Sequence, residues 1–295
     1  MNPTKNQLNK DHCIPLVTLV IPSYNHEKFV ELSINSALKQ TYSNIELFVY
    51  DDGSTDNSRD IIEKLSKKHG FYFKAQKNQG LTNTLNEALK KSQGKYFCML
   101  SSDDIIFPDK LEKQVAYMEK NPNIGLCGGS VILIDNDGIC DAKQNILPNA
   151  LLDFDDTFLM KKSAPHSVTM LTRKSVLDEI GGYDPKIRLE DVDMWLKITH
   201  AGYPISCIND VYAYYRKHEN NTYKQVEFMH NCLLQSYDKY SSHPNHEAMK
   251  QKIIFSTILK ASKRNKKLAW KLIKNIPLRQ YNSKVARALL RLLFS

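Results

Sequence analysis

The sequence predicts an α/β fold: a mostly parallel sheet with helices on both faces, followed by a helical C-terminal appendage. Three observations carry this. Short β-branched apolar runs alternate with segments of helical spacing from Leu16 to Leu100. Each of those runs that ends in a polar cluster does so at its carboxyl end, and beyond about Tyr223 the strand signals give way to amphipathic helical stretches. Alternation of this kind, with right-handed crossovers, buries a sheet between two helical layers.

Leu16 to Ile21 and Ile45 to Tyr50 read as buried strands, the first closed by Pro22 and the second by Asp51-Asp52-Gly53. Phe29, Leu32, Ile34 and Leu38 fall at roughly helical spacing between them. A helix with Ile61, Ile62 and Leu65 follows, opened by Thr55/Asp56, then a strand at Phe71 to Ala75, a helix from Leu81 to Lys91 and the strand Tyr96 to Leu100. Pro108 to Glu119 is a further helix. Gly128-Gly129 breaks the run before Val131 to Ile134, and Asn136-Asp137-Gly138 is a hairpin-type turn. Arg188 to His200 reads as a helix and Val211 to Tyr215 as a strand. The stretches Ile253 to Leu259, Leu268 to Ile273 and Val285 to Leu293 are amphipathic, interrupted by Pro277. The resulting organisation is a polar segment (1–14), an α/β unit (15–222, with halves 15–125 and 126–222) and a basic helical region (223–295).

With 295 residues, 25% of them charged, the chain can bury a substantial core. No apolar h-region precedes the first strand, so no signal peptide is expected, and no apolar run is long enough for a spanning helix. The six cysteines lack C-x-x-C pairs and zinc-ligand spacing, which favours reduced thiols in a cytoplasmic protein. The net charge of +9 is uneven: 13 of the 41 basic residues lie from Ala248 onward, where there is no Asp or Glu. The preceding 247 residues hold 28 basic against 32 acidic, a net of −4. Such a tail suits an anionic surface. No nucleic-acid-binding module is present, so no nucleic-acid partner is expected. A nicotinamide-nucleotide enzyme is disfavoured because the first strand ends in PSYN instead of G-x-G-x-x-G.

In an open α/β sheet ligands bind beyond the carboxyl ends of strands. Pro22 to Asn25, Asp51 to Ser54 and Ser101 to Asp104 therefore fall along one crevice. Asp51-Asp52 offers acceptors for a base N–H or ribose hydroxyls, although Asp-Gly-Ser-Thr-Asp is equally an ordinary helix-capping turn. Ser101-Ser102-Asp103-Asp104 places adjacent carboxylates where a hard divalent ion could bridge to diphosphate, or where they could cap the next helix. Glu190-Asp191 could supply a general base, or complement a helix dipole. Arg216 could pair with diphosphate and His218 complete a metal site.

In order and spacing these signals resemble the inverting family 2 glycosyltransferases of the GT-A fold, particularly bacterial enzymes of surface-polysaccharide synthesis. The resemblance rests on VTLVIPSYNHEKFVELSINSALKQTYSNIELFVYDDGSTDNS (17–58), NQGLTNTLNEALKKSQGKYFCMLSSDDIIFPDKL (78–111), GGYDPKIRLEDVDMWLKITHAG (181–202) and YYRKH (214–218). It implies a Rossmann-like mixed sheet and transfer of a sugar, from a UDP-sugar donor in preference to GDP or dTDP, to a glycan or polyprenyl-diphosphate-linked acceptor. It also implies a nucleoside pocket at Pro22, Tyr24, Asn25, Asp51 and Asp52, and a donor-side loop with Asn78, Gly80 and Asn86. Ser102 and Asp103 would lie at the donor, with Mn²⁺ or Mg²⁺ held by Asp103, Asp104 and His218. Asp191, beside Glu190, would be the base and Arg216 would meet the diphosphate. Two departures stand out: Ser101 replaces the aspartate that often opens the family's D-x-D element, and Leu85 replaces an arginine before Asn86. The first makes a catalytically inactive protein, which holds a nucleotide sugar or scaffolds partners without turnover, the alternative reading. The basic tail either packs on the catalytic unit with a solvated basic face or rests on the anionic inner face of the membrane through Leu268, Trp270, Leu272, Leu289, Leu290, Leu292, Leu293 and Phe294, which would suit a lipid-linked acceptor.

Overall fold

The computed structural model describes residues 14–141, 144, 146–219 and 221–294. The polar N-terminal segment before Ile14, with Cys13, lies outside the described residues. In chain order the elements are β1 (Val17–Ser23), α1 (Val30–Leu38), β2 (Ile45–Asp51), α2 (Ser58–His69), β3 (Tyr72–Ala75), α3 (Leu81–Lys91), β4 (Tyr96–Met99), β5 (Ile105–Ile106), α4 (Lys110–Lys120) and β6 (Leu126–Ile134). Then come β7 (Ala150–Leu152), α5 (Phe154–Phe158), β8 (Leu171–Arg173), α6 (Lys174–Glu179), α7 (Glu190–His200), β9 (Ile205–Arg216), α8 (Val226–Asp238), α9 (His246–Arg264), α10 (Lys266–Lys274) and α11 (Ser283–Phe294).

The sheet runs β3-β2-β1-β4-β8-β6-β9-β5, with β7 also on β9. The first four strands are parallel. Strand β8 is antiparallel to both β4 and β6, whereas β6 and β9 are parallel, so the sheet is mixed. Strand alternation sorts the side chains onto two faces. Val17, Leu19, Ile21, Tyr96 and Cys98 meet α1, α2 and α4 on one face, through residues such as Ile34, Ile62 and Val115. Val20, Phe97 and Met99 meet α3, α6 and α7 on the other, through Leu85, Leu177 and Ile198.

Two expectations change. Leu32 and Leu38 are exposed, because α1 turns Val30, Ser33, Ile34 and Ala37 inward instead. Gly128-Gly129 does not end a strand: β6 runs through it, and the irregularity appears as register shifts against β9 between Gly128 and Val131. Both glycines are required by crowding. A Cβ at Gly128 would come within 2.7 Å of Pro165, and one at Gly129 within 2.6 Å of the Asp210 carbonyl.

The C-terminal helices form their own small cores. Val226, Ala261, Leu268 and Ala269 make one, and Ile258, Ile273, Val285 and Ala288 another. Tyr237, Tyr240, Met249 and Ile253 pack on Phe158 and Leu196, which joins this region to α5 and α7. The expected apolar contact set therefore divides. Leu268 is buried and Leu272, Leu289 and Leu292 pack between helices, while Trp270, Leu290, Leu293 and Phe294 face outward. No described helix is long and apolar enough to cross a membrane.

Candidate active site

The ends of β1, β2 and β4 do converge. After Pro22, which is half-buried, and Tyr24, which is exposed, Asn25 adopts a left-handed φ of 55°, a conformation that Asn tolerates better than most residues. Its N–H donates to Ser54 Oγ (2.9 Å) and its Oδ1 accepts from the Thr55 N–H (2.8 Å). The His26 N–H donates to Ser58 Oγ at 2.9 Å. These bonds stitch the first strand end to the second.

Asp51 and Asp52 are both buried at the end of β2. Asp52 is occupied with the neighbouring loop: Oδ1 accepts from Gln76 Nε2 (2.9 Å) and the Gln79 N–H (3.0 Å), and Oδ2 from the Gly80 N–H (2.9 Å). It shapes the loop that carries Asn78, which is exposed, and Gly80, whose φ is 85°. Asp51 Oδ2 accepts from the Ser54 N–H, but its Oδ1, like Ser23 Oγ on the adjacent strand, is buried with no hydrogen-bond partner among the described residues. Buried polar atoms of this kind call for a partner, and they lie at the open end of the sheet.

At the end of β4, His218 Nε2 lies 2.8 Å from Asp103 Oδ2, and His26 Nδ1 lies 2.7 Å from Ser102 Oγ. One potential ligand atom from each of His26, Asp103 and His218 falls within 4.8 Å of the others. This two-histidine, one-carboxylate set fits a divalent ion by its chemistry. Burial alone would raise the Asp103 pKa, but the His218 hydrogen bond and the nearby histidine charges outweigh it and hold the carboxyl below its ordinary value. Burial lowers His26, which favours neutral imidazole. The histidine at 26 was not among the residues singled out from the sequence. The signal was there in S-Y-N-H, which sets a metal-competent side chain just past the end of β1.

Three expected contacts turn out otherwise. Asp104 stands apart from that set: its Oδ1 accepts the Arg216 N–H at 2.8 Å, and its Oδ2 is buried without a partner among the described residues. Burial, then the charge of Asp103, pushes its pKa well up, and through the Arg216 N–H it supports the end of β9. Arg216 points inward, not toward a diphosphate. Its Nε donates to the Asp103 carbonyl (3.1 Å), its Nη1 to the carbonyls of Asp135 (2.8 Å) and Asn136 (3.0 Å), and its guanidinium lies 4.7 Å from the Phe29 ring centre. Asn86 clamps the polypeptide instead of lining the donor loop: Nδ2 donates to the Tyr183 carbonyl (2.7 Å) and Oδ1 accepts the Tyr183 N–H (2.9 Å).

The clamp fixes the 181–189 segment that leads into α7. Glu190 and Asp191 open that helix, both half-buried. Asp191 Oδ1 accepts the Val192 N–H at 2.7 Å. Burial raises Asp191, while burial and then the Asp191 charge push Glu190 up to about 8. The third acid, Asp193, is spent on structure: it binds Lys239 (2.7 Å), which also meets Asp184 (2.8 Å). Burial raises the Tyr215 phenol, and the charges of Asp104 and Asp103 raise it further.

Known proteins resemble this chain in sequence and in fold. The E. coli protein named UDP-Glc:alpha-D-GlcNAc-diphosphoundecaprenol beta-1,3-glucosyltransferase WfgD is 35% identical over 66% of this chain and 73% of its own. An uncharacterized glycosyltransferase of Rickettsia conorii is 31% identical over 72% of this chain, although the match spans only 35% of that relative's length. S. aureus TarS 1–349 in complex with UDP-GlcNAc superposes with a TM-score of 0.61 at 19% identity, covering 93% of this chain and 79% of that one. The mannosyltransferase PcManGT of Pyrobaculum calidifontis, in complex with GDP-Man and Mn2+, gives 0.59 at 16% identity over 95% and 87%. These two likenesses are of fold. The sequence pattern of glycosyl transferase family 2 matches residues 18–181, more than half of the chain, which thus belongs to that family.

Proposed function

We propose that the protein transfers a sugar from a UDP-sugar to a hydroxyl of a lipid-linked glycan, with inversion, in the synthesis of a bacterial surface polysaccharide. The observation that carries this reading is the His26-Asp103-His218 group gathered at the strand ends, with the acid pair Glu190-Asp191 at the start of α7, in a chain of glycosyl transferase family 2. The donor and acceptor named for WfgD, and the UDP-GlcNAc bound by TarS, support the substrate classes.

Residues 15–125 hold the donor and 126–222 the acceptor. The unpartnered Asp51 Oδ1 and Ser23 Oγ receive polar hydrogens of the nucleoside, within walls formed by Pro22, Tyr24, Asn25 and Asn78. Asp52 acts mainly by fixing the loop at Gly80. Asp191 takes the proton from the acceptor hydroxyl as that oxygen bonds to the anomeric carbon. The bond to the diphosphate oxygen breaks, and its electron pair leaves with the nucleoside diphosphate. One displacement from the opposite face inverts the anomeric centre. A divalent ion at Asp103, His218 and His26 would offset charge on the departing diphosphate.

A thermal-shift series with UDP-, GDP-, dTDP- and CMP-sugars tests the donor class, since a ligand of the folded state raises its melting temperature. UDP-sugars are expected to give the largest shift, increased by Mn²⁺ and lost in Asp103→Ala. No shift with any of them would favour the scaffold reading.

In the same reading the basic helices rest on the anionic face of the cytoplasmic membrane. Leu290, Leu293 and Phe294 are 58%, 65% and 82% exposed, on a helix with Arg287 also outward. Deleting the tail would strip Met249 and Ile253 from the back of α7, so the informative change is Leu290, Leu293 and Phe294 all to Ser. Each apolar side chain withdrawn from water contributes on the order of 1.5–3 kcal/mol. Co-sedimentation with phosphatidylglycerol vesicles is expected to fall at least about tenfold in the triple variant and to weaken with salt. Equal binding by variant and parent would end the membrane reading.

A further inference from the structure

We infer that His26 is a third protein ligand, so that the chain binds a divalent transition ion before any nucleotide arrives and favours Mn²⁺ or Co²⁺ over Mg²⁺. The inference deepens the glycosyl-transfer reading by specifying the metal site of that crevice, but its test does not require sugar transfer.

The geometry points this way at each residue. His26, Asp103 and His218 come from three separate places, the β1 end, the β4 end and the segment after β9, yet their ligand atoms gather within 4.8 Å. The two imidazoles meet nearly edge to face, with ring centres 5.7 Å apart at 82°. Two rings so disposed can direct nitrogens at one ion from different sides. Each histidine is also held in place. Ser102, itself 1% exposed, engages His26 Nδ1 at 2.7 Å, and an imidazole held at one nitrogen has its second to offer an ion. A hydrogen bond to the second nitrogen is the usual device for fixing the tautomer and direction of a ligating histidine. The His26 backbone is anchored through Ser58, and the His218 N–H donates to Asn221 Oδ1 at 2.5 Å. Asn221 Nδ2 in turn donates to the Arg216 carbonyl at 3.2 Å, closing the turn that presents His218.

The donor set decides the ion. Mg²⁺ prefers oxygen ligands in near-ideal octahedral geometry and gives up water reluctantly, whereas imidazole suits the first-row transition ions. One carboxylate alone would leave the ion dependent on diphosphate oxygens. Two imidazoles and a carboxylate supply enough ligands to hold it without them.

Mn²⁺ titration of the full chain, followed by the free-ion electron paramagnetic resonance signal in the absence of nucleotide, tests the inference. Wild type is expected to bind, with Mg²⁺ competing poorly. His26→Ala is expected to raise the Mn²⁺ dissociation constant about tenfold or more, as loss of a ligand should exceed the roughly 10–100-fold effect of an outer-shell partner at its lower end. His26→Gln provides a near-isosteric second variant, and melting curves of both report folding. Independently of any variant, pulsed resonance on Mn²⁺-loaded wild type should show coupling to two imidazole nitrogens. Coupling to one only, unchanged affinity in folded His26→Ala, or no nucleotide-free binding by wild type would each overturn the assignment. Mn²⁺ binding that persists while every nucleotide sugar fails to bind would instead sink the transfer reading and leave the metal site standing.

Discussion

Asp191→Asn is expected to lower the transfer rate by about 10²–10⁴-fold, the contribution typical of a positioned general base, with donor affinity nearly unchanged. The amide keeps the shape and can still accept from the Val192 N–H, so the helix start survives and only the proton acceptor is lost. Single-turnover rates with saturating donor, beside donor binding by calorimetry, separate these effects; unchanged turnover removes Asp191 from the base role. The sign of the pH dependence follows from the same burial. A base works when ionised, and burial raises Asp191, so wild-type activity should fall with falling pH at a higher pH than an exposed aspartate would give. Glu190 carries a related stability signature. Its folded value of about 8 against an ordinary 4.5 means that its stabilising contribution is fully present below 4.5 and is lost as pH rises toward 8. Glu190→Gln should flatten that decline.

Arg216→Ala is expected to cost on the order of 3–5 kcal/mol of stability, because buried carbonyl acceptors left without a donor cost about 1–3 kcal/mol each. For a chain of this size that corresponds to roughly 10 °C in melting temperature. Three carbonyl acceptors and the Phe29 face would lose their partner together. Arg216→Lys should recover little, because an ammonium cannot reproduce the planar fork. A variant that melted normally yet lost affinity for UDP would restore the diphosphate contact that the R-x-H spacing first indicated.

The sequence was most informative where period and punctuation coincide. Leu16 to Ile21 and Tyr96 to Leu100 announce strands because β-branched and aromatic residues run into polar breakers, and the structure places them side by side with their predicted ends together. Asp103 and His218 could be paired in advance only through the family resemblance, since they are 115 positions apart. What remained hidden depended on direction. Arginine serves carboxylates, phosphates and carbonyls alike, and only the path of β9 past Asp135 decides which one Arg216 meets. Asn86 and His26 show the same limit in opposite senses: an amide expected at the ligand closes on Tyr183, and an unremarked imidazole turns toward Asp103. Likewise, Leu268 and Leu290 share one amphipathic pattern, and helix packing alone tells the covered leucine from the open one.

The loops after β2 and β3 meet main chain to main chain. A Cβ on Gly53, whose φ is 79°, would fall 2.8 Å from the Asn78 backbone nitrogen, and the groups of that second loop that grip Asp52 from the main chain are the Gln79 and Gly80 N–H. A wall made of backbone offers little for point mutation to vary. Libraries that randomise Gly53 or Gly80 should therefore return damaged proteins more often than altered ones, and on the proposed donor reading a change of nucleotide preference would call for changes of loop length between Gln76 and Leu81.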